Sequence, residues 1–256
     1  FYSQSDTIRH QVGDKLISPI FSIPWRHHIE ILTKCRTIDE ALFYVGKTLE
    51  NGWSRAVLLN FLDARLFETQ GKALTNFRKN LPEPMSDLAQ QTLKDPYNFD
   101  FLTMRENYNE RELEDALTTN ITRFLLELGS GFAFVGRQVR LEVNGNEYFI
   151  DLLFYHLKLR CYTVVELKVT EFKPEYLGQL GFYVTAVNRQ LRRTEDNPTI
   201  GLIICKTKDR VVAEYALEGT NQPLGISQYD LMKVTSEELK NTLPSIEEIE
   251  NELNEK

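Results

Sequence analysis

The sequence predicts an α/β protein in two parts: a core of order α-β-β-β-α-β around a mixed sheet, preceded by a small helical domain. Three observations lead there. At 256 residues the chain exceeds the usual size of one domain. Up to about residue 80 its apolar residues fall at helical spacing. Beyond residue 130 they gather into short strand-like runs, two of them joined by Asn144-Gly145-Asn146, a strong hairpin signal.

In residues 1–80, Ile8, Val12, Leu16 and Ile17 have the spacing of a first helix. From Pro24 the helical pattern is clear. Thr37 followed by Glu40 makes a capping-box start, Ile38, Ala41, Leu42, Val45 and Leu49 share a stripe, and Asn51-Gly52 ends the helix. Trp53 and Ser54 open the next, with Val57, Leu58, Phe61, Leu62 and Leu66 on its buried face. Short helices joined by a tight turn suit a helix-turn-helix or winged-helix-like module, and equally a small bundle used for protein contacts. In the first case the helix from Trp53 would enter a nucleic-acid groove, with Arg55 and Arg65 as exposed cations; in the second the domain would hold a protein partner.

Residues 81–108, punctuated by Pro82, Pro84, Asp95-Pro96 and Asn98, read as a linker. The core is expected over residues 109–235. Residues 112–128 read as one helix with the stripe Leu113, Ala116, Leu117, Ile121, Phe124, Leu125 and Leu128, closed by Gly129 and Gly131. Strands are expected at 132–143, 148–155 and 161–169, then a long helix over 174–192, then strands at 200–205 and 211–217. Residues 236–256 read as an acidic helical tail.

Hydrophobic residues make up 42% and charged residues 26%, ordinary for a soluble globular protein. No apolar run reaches the roughly 18–20 residues needed to span a bilayer, so no membrane association is expected. Three scattered cysteines, Cys35, Cys161 and Cys205, lack any zinc-site spacing and suit a reducing cytoplasm. Cys161 and Cys205 sit in strand-like runs, where a free thiol acts as a small buried hydrophobe. His10, His27, His28 and His156 form no HExxH pattern. The chain opens on Phe1 rather than Met, as expected of a fragment or processed chain. The net charge of −7 excludes a broadly basic nucleic-acid coat but not a local cleft. Much of the excess lies in the tail, where Glu237, Glu238, Glu247, Glu248, Glu250, Glu252 and Glu255 face only Lys240 and Lys256.

Two anomalies carry the chemistry. Asp151 interrupts Tyr148-Phe149-Ile150-Asp151-Leu152-Leu153-Phe154-Tyr155, a run apolar on both faces as in a covered central strand. A carboxylate there must be paired, hydrogen-bonded or bound to a metal, because burying it alone is costly. In Val164-Val165-Glu166-Leu167-Lys168, strand alternation puts Glu166 and Lys168 on one face. Ordinary strand pairing brings Asp151 near them. Two acids beside a lysine can hold a hard cation such as Mg²⁺ or Mn²⁺ through oxygen ligands, while the lysine orients water or stabilises phosphate charge. The competing reading is a buried ion pair without chemistry, which desolvation makes rare. Gln179 and Tyr183 share a helix face, and Gly178 and Gly181 suggest a helix lying close on the sheet, bringing Gln179 to the acids. Gln179 facing solvent on a packing helix is the alternative. Arg189, Arg192 and Arg193 complement the helix dipole or contact phosphates, Tyr183 is a further candidate for nucleic-acid contact, and Arg137 and Arg140 are similarly ambiguous.

Asp151, Glu166-Leu167-Lys168 and Gln179-Leu180-Gly181-Phe182-Tyr183 resemble the D…(D/E)xK…QxxxY series of the PD-(D/E)XK nuclease superfamily, and the element order resembles its restriction-endonuclease-like core. The strands around Asp151 and Glu166 are similar to those of the bacterial YhcG family. Pro24-Trp25-Arg26-His27-His28 and Asn51-Gly52-Trp53-Ser54-Arg55 resemble that family's first domain, whose function is largely uncharacterised. The resemblance implies a metal-dependent nuclease acting on DNA, with Asp151 and Glu166 as metal ligands, Lys168 acting on the attacking water, Gln179 positioning the site and Tyr183 nearby. Ile150 stands where the superfamily name has Pro. Glu127 is the candidate for the extra acid that many members carry on their first helix. Paired cuts would call for a homodimer. A nucleic-acid-binding or protein-interaction module on a nuclease-derived scaffold, without turnover, is the other function class the sequence allows.

Overall fold

The computed structural model describes residues 22–231 apart from 64 and 106. The expected helix over 8–17 and the acidic tail over 236–256 lie outside the described residues. The chain first builds α1 (Trp25–Lys34), α2 (Ile38–Asn51), α3 (Arg55–Asp63) and α4 (Leu66–Thr69). Local chemistry sets their ends. The Thr37 hydroxyl accepts from the Glu40 N–H at 3.2 Å, Gly52 stops α2 at φ 62°, and the Ser54 hydroxyl accepts from the Val57 N–H at 3.3 Å. These helices enclose their own core of Ile31, Tyr44, Val45, Leu58, Phe61 and Leu66. Residues 22–69 contain no strand among those described, so the helical domain is a bundle without a wing.

Residues 81–108 are not a linker. After β1 (Leu74–Thr75) and α5 (Phe77–Asn80) come α6 (Met85–Thr92) and β2 (Tyr97–Asn98), and Leu81, Met85, Ala89, Leu93, Tyr97, Phe99 and Leu102 are all buried in the main core. Both short strands pair with the outer edge of the last strand, β7 (Leu224–Asp230), β1 antiparallel and β2 parallel. This segment therefore seals a sheet edge that would otherwise expose unpaired backbone groups. Asn76 fastens it: its amide donates to the Thr220 hydroxyl at 2.7 Å and its carbonyl accepts from the Leu224 N–H at 2.8 Å.

The expected helix over 112–128 is two helices, α7 (Glu110–Thr119) and α8 (Ile121–Leu128), broken at Asn120, whose side-chain amide bonds back to the Ala116 carbonyl. An Asn109–Glu112 capping box starts α7. Then follow β3 (Phe132–Val143), β4 (Asn146–His156), β5 (Cys161–Glu171), α9 (Tyr176–Gln190), β6 (Ile200–Thr207) and α10 (Arg210–Glu218). Asn144 and Gly145 both have positive φ, which gives the two-residue hairpin turn between β3 and β4. The last expected strand, 211–217, is instead α10: the Asp209 carboxylate caps it by accepting from the Val212 N–H at 2.9 Å.

The sheet runs β1-β7-β6-β5-β4-β3, antiparallel from β3 to β5 and parallel from β5 to β7, as a mixed α/β sandwich requires. One face packs on α5–α8 through Leu152, Phe154, Val165, Leu167 and Leu202; the other packs on α9 and α10 through Leu153, Val164, Ile203 and Ile226. The close approach of α9 rests on Gly201 of β6, where a Cβ would meet Leu180 and Val184 at 2.9 Å. The helix glycines expected to do this do not: a Cβ at Gly178 would meet nothing within 4 Å.

Candidate active site

The site forms where β4 and β5 part. Their antiparallel ladder runs from His156↔Cys161 to Leu152↔Val165 and ends there. One residue on, a side chain replaces the ladder: Asp151 Oδ2 accepts the Leu167 N–H at 3.0 Å, as a strand carbonyl would. The Asp151 N–H in turn donates to Glu166 Oε1 at 3.4 Å. Glu166 and Lys168 share the face of β5 that carries Val164 towards α9, so alternation places Lys168 Nζ 3.6 Å from Glu166 Oε2. The three residues singled out by the sequence are thus brought together.

Two further acids come from α7. Glu110 and Glu114 lie one turn apart, and Glu110 Oε2 is 3.8 Å from Lys168 Nζ. Glu114 is 4% exposed and accepts from the side-chain amide of Gln138, which also reaches Asp151 Oδ1 at 3.4 Å. Gln138 takes φ 46° in the middle of β3, a left-handed conformation that costs a non-glycine residue about 1–3 kcal/mol and is found where a side chain must be aimed. Sequence reasoning missed Glu110, Glu114 and Gln138. The available signal was Glu114 flanking the buried stripe of Leu113 and Leu117; nothing in the sequence marks Gln138.

Electrostatics follow from this crowding. Burial, and then the adjacent Asp151 carboxylate, push Glu166 up to about 8. Burial also raises Asp151, against the Leu167 N–H that favours its charged form. Burial and Asp151 raise Glu114, with the Gln138 amide opposing. Burial works against the charge of Lys168, but Glu166, Asp151 and Glu110 together outweigh it and hold the ammonium above the ordinary lysine range. Its ammonium also lies over the Tyr176 ring, 5.4 Å from the centroid.

Asp151, Glu166 and Glu110 surround the Lys168 ammonium, and Glu114 is joined to Asp151 through Gln138, which gathers oxygen donors of the kind suited to a hard divalent cation. Among the described residues no three acids, histidines or cysteines converge tightly enough to cage an ion unaided. Mg²⁺ takes one or two carboxylates and completes its shell with water and phosphate oxygens. Asp151 and Glu166 are the pair that would hold it.

The remaining expectations divide. Gln179 is exposed on α9 and donates to the Tyr183 hydroxyl at 3.1 Å; no hydrogen bond joins it to the acids. Tyr183 is buried rather than offered to a ligand, its hydroxyl raised by burial and also by Glu166 and Asp151. Arg189 is exposed in the last turn of α9 and Arg192 and Arg193 just beyond it, and the helix carries its end at Gln190 about 16 Å from Gln179 at roughly 1.5 Å per residue. Arg192 donates to the Asp196 carbonyl at 3.0 Å, and the Arg193 N–H donates to the Asp196 carboxylate at 3.0 Å, so they organise the loop before β6. Glu127 is not the extra acid. It lies 3.2 Å from Lys94 and accepts the Asn98 N–H at 3.0 Å. Arg137 pairs with Asp115, and Arg140 with Glu142 and Glu147. In the helical domain Arg55 is tied to Glu30, and Arg65 lies 3.8 Å from Glu68.

A mixed sheet whose diverging strands present an aspartate and a Glu-x-Lys pair defines a PD-(D/E)XK nuclease domain. The chain belongs to the YhcG family: residues 90–244 match the YhcG PDDEXK nuclease domain, and residues 1–69 match the DUF1016 N-terminal domain. YhcG of Escherichia coli (strain K12), whose nuclease label is itself provisional, is 32% identical over 93% of this chain, which spans 65% of that relative's length. Among solved structures, a repair endonuclease from Pyrococcus abyssi is 13% identical over 52% of this chain and 50% of its own, with a TM-score of 0.33. EndoMS in complex with dsDNA is 14% identical over 54% and 49%, with a TM-score of 0.35. Likeness at that level has no bearing on activity. No helix among the described residues is long and apolar enough to cross a membrane.

Proposed function

We propose that this chain is a nuclease that hydrolyses DNA phosphodiester bonds with the aid of Mg²⁺ or Mn²⁺. The observation that carries the reading is the convergence of Asp151, Glu166 and Lys168 at the opening between β4 and β5, with Glu114 held to Asp151 through Gln138. Asp151 and Glu166 would hold the cation, which when bound polarises the phosphate and favours ionisation of the attacking water. Glu114 takes the part of the extra helix acid expected at Glu127. Because the single Lys168 ammonium does not offset both Asp151 and Glu166, a dication would occupy the place of the proton the pair otherwise keeps.

Lys168 performs the other half of the task. Its ammonium, fixed by Glu166, Glu110 and the Tyr176 ring, stands where it can orient a water and oppose the negative charge that grows on the phosphate during attack. Gln179, oriented by Tyr183, forms the rim on the α9 side. The test is nicking of a supercoiled plasmid with Mg²⁺ or Mn²⁺, by the wild-type chain and by Glu166→Gln. Cleavage that needs the metal and disappears in Glu166→Gln supports the reading. Metal-independent cleavage would overturn the metal-holding role of the acids, and no cleavage of any DNA or RNA offered replaces the reading with a scaffold that binds without turnover, which Gln179 bonding Tyr183 instead of the acids favours.

A further inference from the structure

The opening between β4 and β5 gathers Asp151, Glu166, Glu110 and Glu114 against one ammonium, that of Lys168, in a chain whose net charge is −7. A phosphodiester strand approaching it meets its own sign of charge, so the attraction that holds the strand has to come from cations beside the acids. The exposed arginines of β3 and α10 are tied to acids: Arg137 to Asp115, Arg140 to Glu142 and Glu147, and Arg210 to Glu214. Three exposed cations at the opening are not. Among the described residues no carboxylate forms an ion pair with Arg111, Lys173 or Lys206.

The strands set these cations on two flanks. β5 and β6 run in parallel with Lys168 beside Cys205. Cys205 packs on the α9 side, so alternation turns Lys206, one residue on, to the α7 side. There its ammonium lies over the Tyr108 ring, 5.9 Å from the centroid, and that ring is itself held by the bond between the Tyr108 and Tyr229 hydroxyls at 2.7 Å. Lys206 is thus a placed cation rather than a loose one. Arg111 adds a second charge on this flank, next to Glu110 in the first turn of α7. Lys173 stands on the other flank. It follows Phe172, whose N–H donates to the Thr207 carbonyl at 2.8 Å, and precedes Tyr176, the residue whose ring carries Lys168. We propose that the backbone of a DNA duplex strand crosses the parted end of β4 and β5 from Lys173 on the α9 side to Lys206 and Arg111 on the α7 side, each cation meeting a phosphate. The path rests on the nuclease reading only in putting the scissile phosphate at Lys168, midway along it.

The test measures binding apart from chemistry. A labelled DNA duplex is titrated with the full chain carrying Glu166→Gln, at fixed Mg²⁺ and several salt concentrations, and followed by fluorescence anisotropy. Adding Arg111→Gln, Lys173→Gln and Lys206→Gln together should lower the slope of log affinity against log salt by about 2.7, at about 0.9 per lost phosphate contact. By the same relation affinity should fall on the order of 10²-fold near physiological salt. The thermal midpoint should not move, because all three side chains are exposed. Arg111→Lys, Lys173→Arg and Lys206→Arg, which keep the charges, should restore the slope. Arg189→Gln, an equal loss of charge in the last turn of α9, should leave it unchanged. A triple variant with the parent slope, or a slope lowered as much by Arg189→Gln as by each flanking change, would overturn the path. The two readings fail separately: without Glu166→Gln, metal-dependent nicking by a chain whose flanking changes leave the slope intact would keep the nuclease and remove the path. Slope loss in a chain that nicks nothing would keep the path and remove the nuclease.

Discussion

Glu127 with Lys94 and Glu166 with Lys168 are two buried glutamate–lysine pairs, 3.2 Å and 3.6 Å across. The first is balanced, one acid to one base, between α8 and the start of β2. Burial dominates there, pushing Lys94 down and Glu127 up. The second is outnumbered: Asp151 and Glu110 crowd it, and the same burial is overcome by surrounding charge, so Lys168 is raised. A buried ion pair is thus no sign of chemistry by itself. Charge that the fold gathers and leaves uncompensated is the sign.

The largest effects should separate these pairs outright. Glu166→Gln should remove metal-dependent nicking to background while leaving the thermal midpoint unchanged or higher, since it relieves two adjacent buried carboxylates. Glu127→Gln should do the opposite, costing about 3–5 kcal/mol in a urea melt by stranding Lys94, with cleavage at low temperature within a few fold of wild type. If Glu166→Gln proved the more destabilised of the two, the second pair would be structural and the comparison would fail.

Next in size is Lys168→Ala. Loss of one preorganised electrostatic stabiliser costs about 10²–10³-fold in rate. Calorimetric affinity for Mn²⁺ should hold or rise, because the lysine repels the cation. A variant that lost metal binding with its activity would make Lys168 a scaffold for Glu166 rather than a participant.

How much of this was legible depended on whether a residue was anomalous where it stood. Asp151, Glu166 and Lys168 are charges inside apolar strands, so cost alone announced them. Glu114 and Glu110 sit on a helix, where glutamates are ordinary, and only the packing of α7 on the sheet turns them inward. The arginines after Gln179 were near in sequence but lie along a helix that carries them away. The 81–108 segment was misread because its prolines and turn residues hide apolar residues with no period, and those residues are buried by an edge strand far along the chain. That strand, β7, escaped notice because Gly225, Ser227 and Gln228 break its apolar run, while Val211 and Val212 made a short helix look extended. The hairpin and the caps at Thr37 and Gly52 were readable because they depend on neighbours alone.

A smaller effect concerns His156, which borders Lys158 and Leu159 at the domain junction. Burial, and then the Lys158 charge, push its ring from 6.5 down to about 4. Its folded value lies below the unfolded one, so stability is complete above about pH 6.5 and is lost as pH falls towards about 4. At about 1.4 kcal/mol per pKa unit the loss approaches about 3 kcal/mol. Urea melts across that window should show the slope, and His156→Gln should flatten it. An unchanged slope in the variant would assign the acid sensitivity to other groups.

The smallest effect is expected at the far end of α9, where the comparison can be sharpened rather than broken. Arg192 and Arg193 are exposed cations, but they lie just past the end of α9, itself about 16 Å along the helix from Gln179, where the Arg192 guanidinium donates to the Asp196 carbonyl and the Arg193 N–H to the Asp196 carboxylate. At physiological salt the screening length is about 8 Å, so their charge hardly reaches the acids. The Arg192→Glu, Arg193→Glu double variant should therefore cleave within about twofold of wild type. Its logarithmic salt dependence of DNA affinity should also keep the wild-type slope, since each lost phosphate contact would lower that slope by about 0.9. A drop of nearly two would place this end of the sheet inside the DNA footprint. The polarity drawn here, with chemistry at the parted end of β4 and β5 and loop organisation at the other, would then have to give way to a substrate lying along the whole length of α9.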